Sequence, residues 1–213
     1  MKKTTIFFTV LFFFSALLSA QQSDKELTKE LKDKAIREAR KEAKQLGKEG
    51  WQTPPGALPL SKLVEQAWKK QLLTDENGDP RYITADGNGV AESKTAAEMQ
   101  AVEMAKLQLA GLVQTNISSL ISANVGNEQL STEDAATVTE VVQSAKNIIA
   151  TELGYVNPFF KLERSLKDKK VEIQVRLFYD SKQSLQIAKK VVREELEKKL
   201  QANEEQLERL MKF

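Results

Sequence analysis

The stretch Asp86-Gly-Asn-Gly-Val-Ala-Glu-Ser-Lys-Thr95 sets two glycines a few residues ahead of a Lys-Thr pair, the composition of a loop that cradles phosphate. A P-loop requires glycine, four residues, glycine, then Lys and Ser or Thr, because backbone N–H groups wrap the phosphates while the lysine meets the terminal ones. Ahead of Lys94-Thr95 the two glycine positions hold Asn88 and Ser93, and Gly87 and Gly89 are each displaced by one. Thr95-Ala-Ala-Glu98 has the form of a capping box, in which threonine caps the first helical turn and glutamate reaches back to its N–H. The segment therefore reads as a strand entering a helix.

Other candidate chemistries fail on spacing or on residue type. Asp75, Glu76, Asn77 and Asp79 of "DENGDP" offer hard oxygens for calcium, but an EF-hand loop places glycine sixth and glutamate twelfth. Counted from Asp75, Gly78 is fourth and the twelfth residue is Asp86, so a turn is expected. The sequence contains no histidine and no cysteine, which removes the usual general base, the commonest transition-metal ligand and the thiol nucleophile. Glu92, Ser93 and Lys94 are polar neighbours, yet adjacent strand residues point to opposite faces. Asn116-Ile-Ser118 matches a glycosylation sequon but falls inside an amphipathic helical pattern. Trp51, Trp68, Phe159, Phe160, Phe178 and Tyr179 are expected to close a core rather than line a pocket. No catalytic, cofactor-binding or metal-binding residue is assigned, and no cofactor is expected.

The first 20 residues comprise a basic start (Lys2, Lys3), the apolar run "IFFTVLFFFSALLSA" and the small residue Ala20 at a cut site, the pattern of an export signal. The run is shorter than the roughly 20 apolar residues of a membrane span. Cleavage removes two of the 32 basic side chains and none of the 30 acidic ones, which leaves a mature chain near neutrality. Its charges interleave in sign, without the uncompensated basic cluster that nucleic acid requires. A lipid anchor through cysteine is excluded.

The elements that must position any site follow from periodicity. Residues 24–47 place Leu27, Leu31, Ala35, Ala39, Ala43 and Leu46 on one narrow helical stripe, and the proline-rich "TPPGALPL" after Trp51 marks a boundary. A helix over 60–73 and an Asn-Gly turn lead to a strand over 81–93. In that strand Ala85, Gly87, Gly89 and Ala91 make one bare face, against which the following helix, about 95–123, should lie. A helix over about 131–151, a hairpin of "YVNPFFKLERSL" and "KVEIQVRLFYD", and a charged helix over about 181–212 complete the chain. The fold class is α+β: a small antiparallel sheet of about three strands on two or more helices, with long charged helices at both ends. The divisions are a signal peptide over 1–20, an N-terminal helix over 21–50, an α+β domain over 51–180 and a C-terminal helix over 181–213.

The order strand, alanine-rich helix, helix and hairpin, and in particular "GNGVAESKTAAEMQAVEMAKLQLAGLVQTNI" followed by "LGYVNPFFKLERSLKDKKVEIQVRLFYD", resembles the Lpp-twenty-like lipoprotein family of Gram-negative envelopes, with Ala101, Ala105, Leu109 and Ala110 as the matching helical steps. The segment from "GWQTPPGALPL" onward also resembles secreted proteins of Gram-negative gut anaerobes. The resemblance implies an envelope protein with no catalytic residues to carry over. The chain departs from the family at its mature end, where Gln21 stands in place of a lipid-bearing cysteine, and membrane association is left open.

The expectation is thus a non-enzymatic exported protein, periplasmic or secreted, that interacts with a protein partner or itself through its terminal helices. Leu185, Val192, Leu196, Leu200, Leu207 and Leu210 form the expected interaction surface. The alternative is a small-ligand or peptidoglycan-binding module with a groove beside Gly87 and Gly89. Expressed in a Gram-negative host, the chain should appear outside the cytoplasm with Gln21 as its first residue. A cytoplasmic product that retains residues 1–20 would overturn the export reading.

Overall fold

The computed structural model describes residues 33–127 and 129–213, so the expected signal peptide and the stripe residues Leu27 and Leu31 lie outside the described residues. Helix α1 occupies residues 33–48, followed by α2 (Leu60–Gln71), strand β1 (Tyr82–Ala91), α3 (Lys94–Gly126), α4 (Thr132–Ser144) and α5 (Lys146–Glu152). Strands β2 (Phe160–Ser165) and β3 (Val171–Asp180) and helices α6 (Ser181–Leu200) and α7 (Glu204–Leu210) complete an α+β fold. The antiparallel sheet has the order β1-β3-β2.

Alternation of side chains along the strands gives the sheet two faces, and helices cover both. On the first face Ala85, Gly87 and Gly89 of β1 sit opposite Leu177, Val175 and Ile173 of β3, and all pack beneath α3. Here helix backbone meets strand backbone. A Cβ on Gly87 would lie 2.0 Å from the Ala101 carbonyl oxygen and 2.6 Å from the Ala105 nitrogen; on Gly89 it would lie 2.0 Å from the Ala97 oxygen. Glycine is required by space at these two positions, and alanine on the helix at each contacting turn. On the second face Phe160, Leu162 and Phe178 pack with Trp51, with Ala39 and Ala43 of α1, and with Leu63, Val64 and Ala67 of α2.

Beyond the sheet α3 continues as the post of a helical layer. Its packing residues change from Ala97, Ala101 and Ala105 to Val113, Ile117 and Ile121, because helices now approach it at side-chain rather than backbone distance. Val138, Val142, Ile149, Val192, Leu196, Leu207 and Leu210 close this second core. Ion pairs fix the start of α3 over the sheet: Lys161 Nζ is 2.9 Å from Glu98 Oε1, and Lys94 Nζ is 2.6 Å from Glu163 Oε1.

The structure corrects several expected features. The α3 N-cap is Ser93, whose Oγ accepts the Ala96 N–H at 3.2 Å, and Thr95 lies inside the helix while Glu98 pairs with Lys161. Strand pairing ends at Ala91, which moves the extended-to-helical change upstream of Thr95. The C-terminal helix is two helices, broken where Gln201 adopts φ 50° and restarted by an Asn203 capping box with Gln206. The helix expected over 131–151 breaks at Ala145. The connector after Trp51 is also pinned to the sheet: Gln52 and Glu163 exchange backbone hydrogen bonds of 2.9 and 2.8 Å. The domain expected over 51–180 therefore packs directly with α1 on one side and with α6 and α7 on the other.

Gly87→Ala should lower unfolding stability by about 3 kcal/mol or more, since the methyl meets rigid backbone rather than a movable side chain. Urea titration followed by circular dichroism would measure it. A loss under about 1 kcal/mol would mean that α3 stands farther from β1 than described.

Candidate functional site at the open edge of the sheet

Most residues singled out from the sequence have structural partners. Val192, Leu196, Leu207 and Leu210 are buried in the helical core, Leu185 is half-covered against it, and Leu200 is 43% exposed. The expected interaction seam is thus consumed within the chain, because α6 packs on α3, α4 and α5 and α7 folds back behind the Gln201 break. Ser93 caps α3 and Lys94 pairs with Glu163 across the sheet. Asp75 Oδ1 accepts the N–H groups of Asn77 and Asp79 at 2.9 and 3.1 Å, and its other oxygen lies 2.8 Å from Lys182 Nζ. Hydrogen bonding to Lys182 and then to the turn backbone holds its carboxyl below the usual range. "DENGDP" is accordingly a closed turn with Gly78 at φ 87°. Among the described residues no group of three or more acidic side chains could hold a metal ion.

Gly87 and Gly89 do not open a groove toward α3, which fills that face. The space beside them lies at the outer edge of β1, and strand register shows why. The register pairs Tyr82 with Asp180, so Arg81 falls opposite Ser181, and the Ser181 N–H indeed donates to the Arg81 carbonyl at 2.9 Å. Hydrogen-bonded pairs alternate along an antiparallel ladder. The odd-numbered residues Ala85, Gly87 and Gly89 therefore bond to β3, while Thr84, Asp86, Asn88 and Val90 turn their N–H and C=O groups outward. Val90 verifies the parity, because its N–H donates outward to the Gln100 side chain of α3 at 3.0 Å.

The two edges of the sheet are unequal. Edge strand β2 is covered by the Gln52 bridge, with the Arg164 guanidinium donating to the Glu49 carbonyl at 3.1 Å. Edge strand β1 has one outward amide satisfied, by Gln100, and among the described residues the outward N–H groups of Thr84, Asp86 and Asn88 meet no acceptor. Unpaired edge groups are a template for a further strand. A groove of about 600 Å³ runs along this edge, with Asp86 and Asn88 as its floor, Met104 and Leu107 of α3 as its apolar wall, and Lys146 of α5 at its end. Met104 is 53% exposed, and Lys146 is exposed at the end of the groove. Asp86 is held by Arg176 at 2.7 Å, which keeps its carboxylate on the opposite face and off the edge. Nothing in the one-dimensional pattern marked Asn88, Met104, Leu107 or Lys146 as neighbours.

Compared with known proteins, the chain matches no family model, no curated protein and no solved structure. Backbone hydrogen exchange should separate the two parities of β1: Ala85, Gly87 and Gly89 amides slow, Thr84, Asp86 and Asn88 amides fast, and Val90 accelerated by Gln100→Ala. Equal protection along the strand would mean that the edge is already paired.

Proposed function

We propose that this chain is a non-enzymatic, exported protein of the cell envelope that acts by binding another polypeptide, which adds as a fourth strand along the open edge of β1. The observation that carries this reading is the row of outward backbone groups at Thr84, Asp86 and Asn88 beside the exposed side chain of Met104. Strand addition supplies affinity through main-chain hydrogen bonds and selectivity through contacts to alternate side chains. The edge offers the first, and the Met104–Leu107 wall and the Lys146 amine offer the second.

Several features support the non-enzymatic part of the reading. The chain has neither histidine nor cysteine, and hydrogen bonding to a lysine holds the carboxyls of Glu38, Glu65, Asp75 and Asp168 below the usual range. Their downward displacement favours the charged form, the opposite of what a general acid needs. The export signal and the Lpp-twenty-like resemblance support an envelope address. The partner segment is one without proline in its central positions, since each alternate residue must donate or accept along the edge.

A library of immobilised heptapeptides, probed with the protein of residues 21–213, tests the proposal. Peptides selected by the wild-type chain should compete with one another and lose about tenfold or more in affinity on Asn88→Pro. That substitution removes an outward amide and no ladder bond, so circular dichroism should remain unchanged. Placing a negative charge at the exposed Leu200 with Leu200→Glu should leave binding intact. Hits that survive Asn88→Pro and fail on Leu200→Glu would return the function to the terminal helix and overturn the edge reading.

A further inference from the structure

A second feature stands apart from the edge, on the opposite face of the sheet. Tyr82 of β1 and Phe178 of β3 share that face, and Phe159 enters from the loop before β2. Phe178 makes edge-on contacts with both, at centroid distances of 6.3 Å to Tyr82 and 5.4 Å to Phe159. Into the space they enclose projects Lys70, from the last turn of α2. Its Nζ lies 4.7 Å from the Tyr82 centroid, 4.6 Å from Phe159 and 5.1 Å from Phe178.

We propose that Tyr82, Phe159 and Phe178 form an aromatic cage for a quaternary ammonium group, and that the Lys70 side chain is its built-in plug. Significant cation–π contacts occur about once per 70–80 residues, whereas here one amine faces three rings at once. The three rings hold the Lys70 ammonium in place. Its neighbour Lys69 pairs with Glu65 at 2.7 Å, but Lys70 has no carboxylate partner among the described residues, and Arg81 adds a like charge nearby. Partial burial, and then Arg81, push its ammonium pKa down, the sign of a cation poorly compensated for lost water.

A primary ammonium is therefore a poor occupant. It is compact and strongly hydrated, and the rings replace little of that hydration. A quaternary ammonium is larger, weakly hydrated and apolar at its surface, so the same three ring faces stabilise it at a smaller desolvation cost. Lys70 holds the site because it is tethered, and a short tether is equivalent to a millimolar ligand. Phe159 is 36% exposed, which leaves one wall of the cage open to solvent.

Tetramethylammonium chloride is the direct probe, titrated into isotope-labelled protein of residues 21–213 with sodium chloride as the ionic-strength control. The ring resonances of Tyr82, Phe159 and Phe178 should shift saturably, about tenfold more tightly in Lys70→Ala than in the wild-type chain, as expected for removal of a tethered competitor. Adding Phe159→Ala to that variant should abolish the response. The wild-type titration does not depend on any variant folding. Absence of a saturable shift up to about 100 mM in either protein, equal affinity in both, or a response that survives Phe159→Ala would overturn the proposal. Free choline and phosphatidylcholine vesicles, compared in the same assay, separate a soluble ligand from a lipid headgroup.

Discussion

The contact on which the rest of the structure depends is that between the backbone of α3 and the backbone of β1. With no side chain at Gly87 or Gly89, the carbonyls of Ala97 and Ala101 settle directly on the strand. A helix so placed has little freedom to slide or rotate, because movement in either direction drives an atom into rigid main chain. The Lys161–Glu98 and Lys94–Glu163 pairs then restrain it across the sheet, where their partial exposure limits what they contribute. Because α3 is 33 residues long, its fixed first half aims its second half out past the sheet, where it becomes the support for α4, α5 and α6.

That placement also determines what is left unfinished. The outer edge of β2 is closed by Gln52, whereas α3 lies over β1 and offers its edge one side-chain acceptor, the Gln100 oxygen that receives the Val90 N–H. The outward backbone groups of Thr84, Asp86 and Asn88 thus border a groove walled by the helix that stabilises the strand. On the other face α1 and α2 complete the cover. There the Glu42 carboxylate accepts the Trp68 indole N–H and stands 3.8 Å from Arg176, which also holds Asp86. This chain of contacts joins helix, strand and edge in a sequence that contains no cysteine.

The amphipathic stripes were misleading in an instructive way. A narrow stripe flanked by charge reads as a seam awaiting a partner, and in the C-terminal segment the partner is the chain's own helical layer. The left-handed residue Gln201 folds α7 back and buries Leu207 and Leu210. No rule of composition announces a left-handed glutamine. Likewise, the capping-box pattern at Thr95 was locally sound, but the end of strand pairing moved the cap to Ser93.

The sequence by itself determined the element types, the α+β class and the bare glycine face that receives a helix, because each depends on local periodicity or on the absence of a Cβ. It also removed histidine and thiol chemistry, which depends on composition alone. The tertiary structure alone decided that β1 lies at an edge, that Met104, Leu107 and Lys146 border it, and that Lys70 enters a cage of three rings drawn from β1, β3 and a loop. Strand order and long-range neighbours are set by which faces can be buried together. That is a property of the packed whole, and no window of residues contains it.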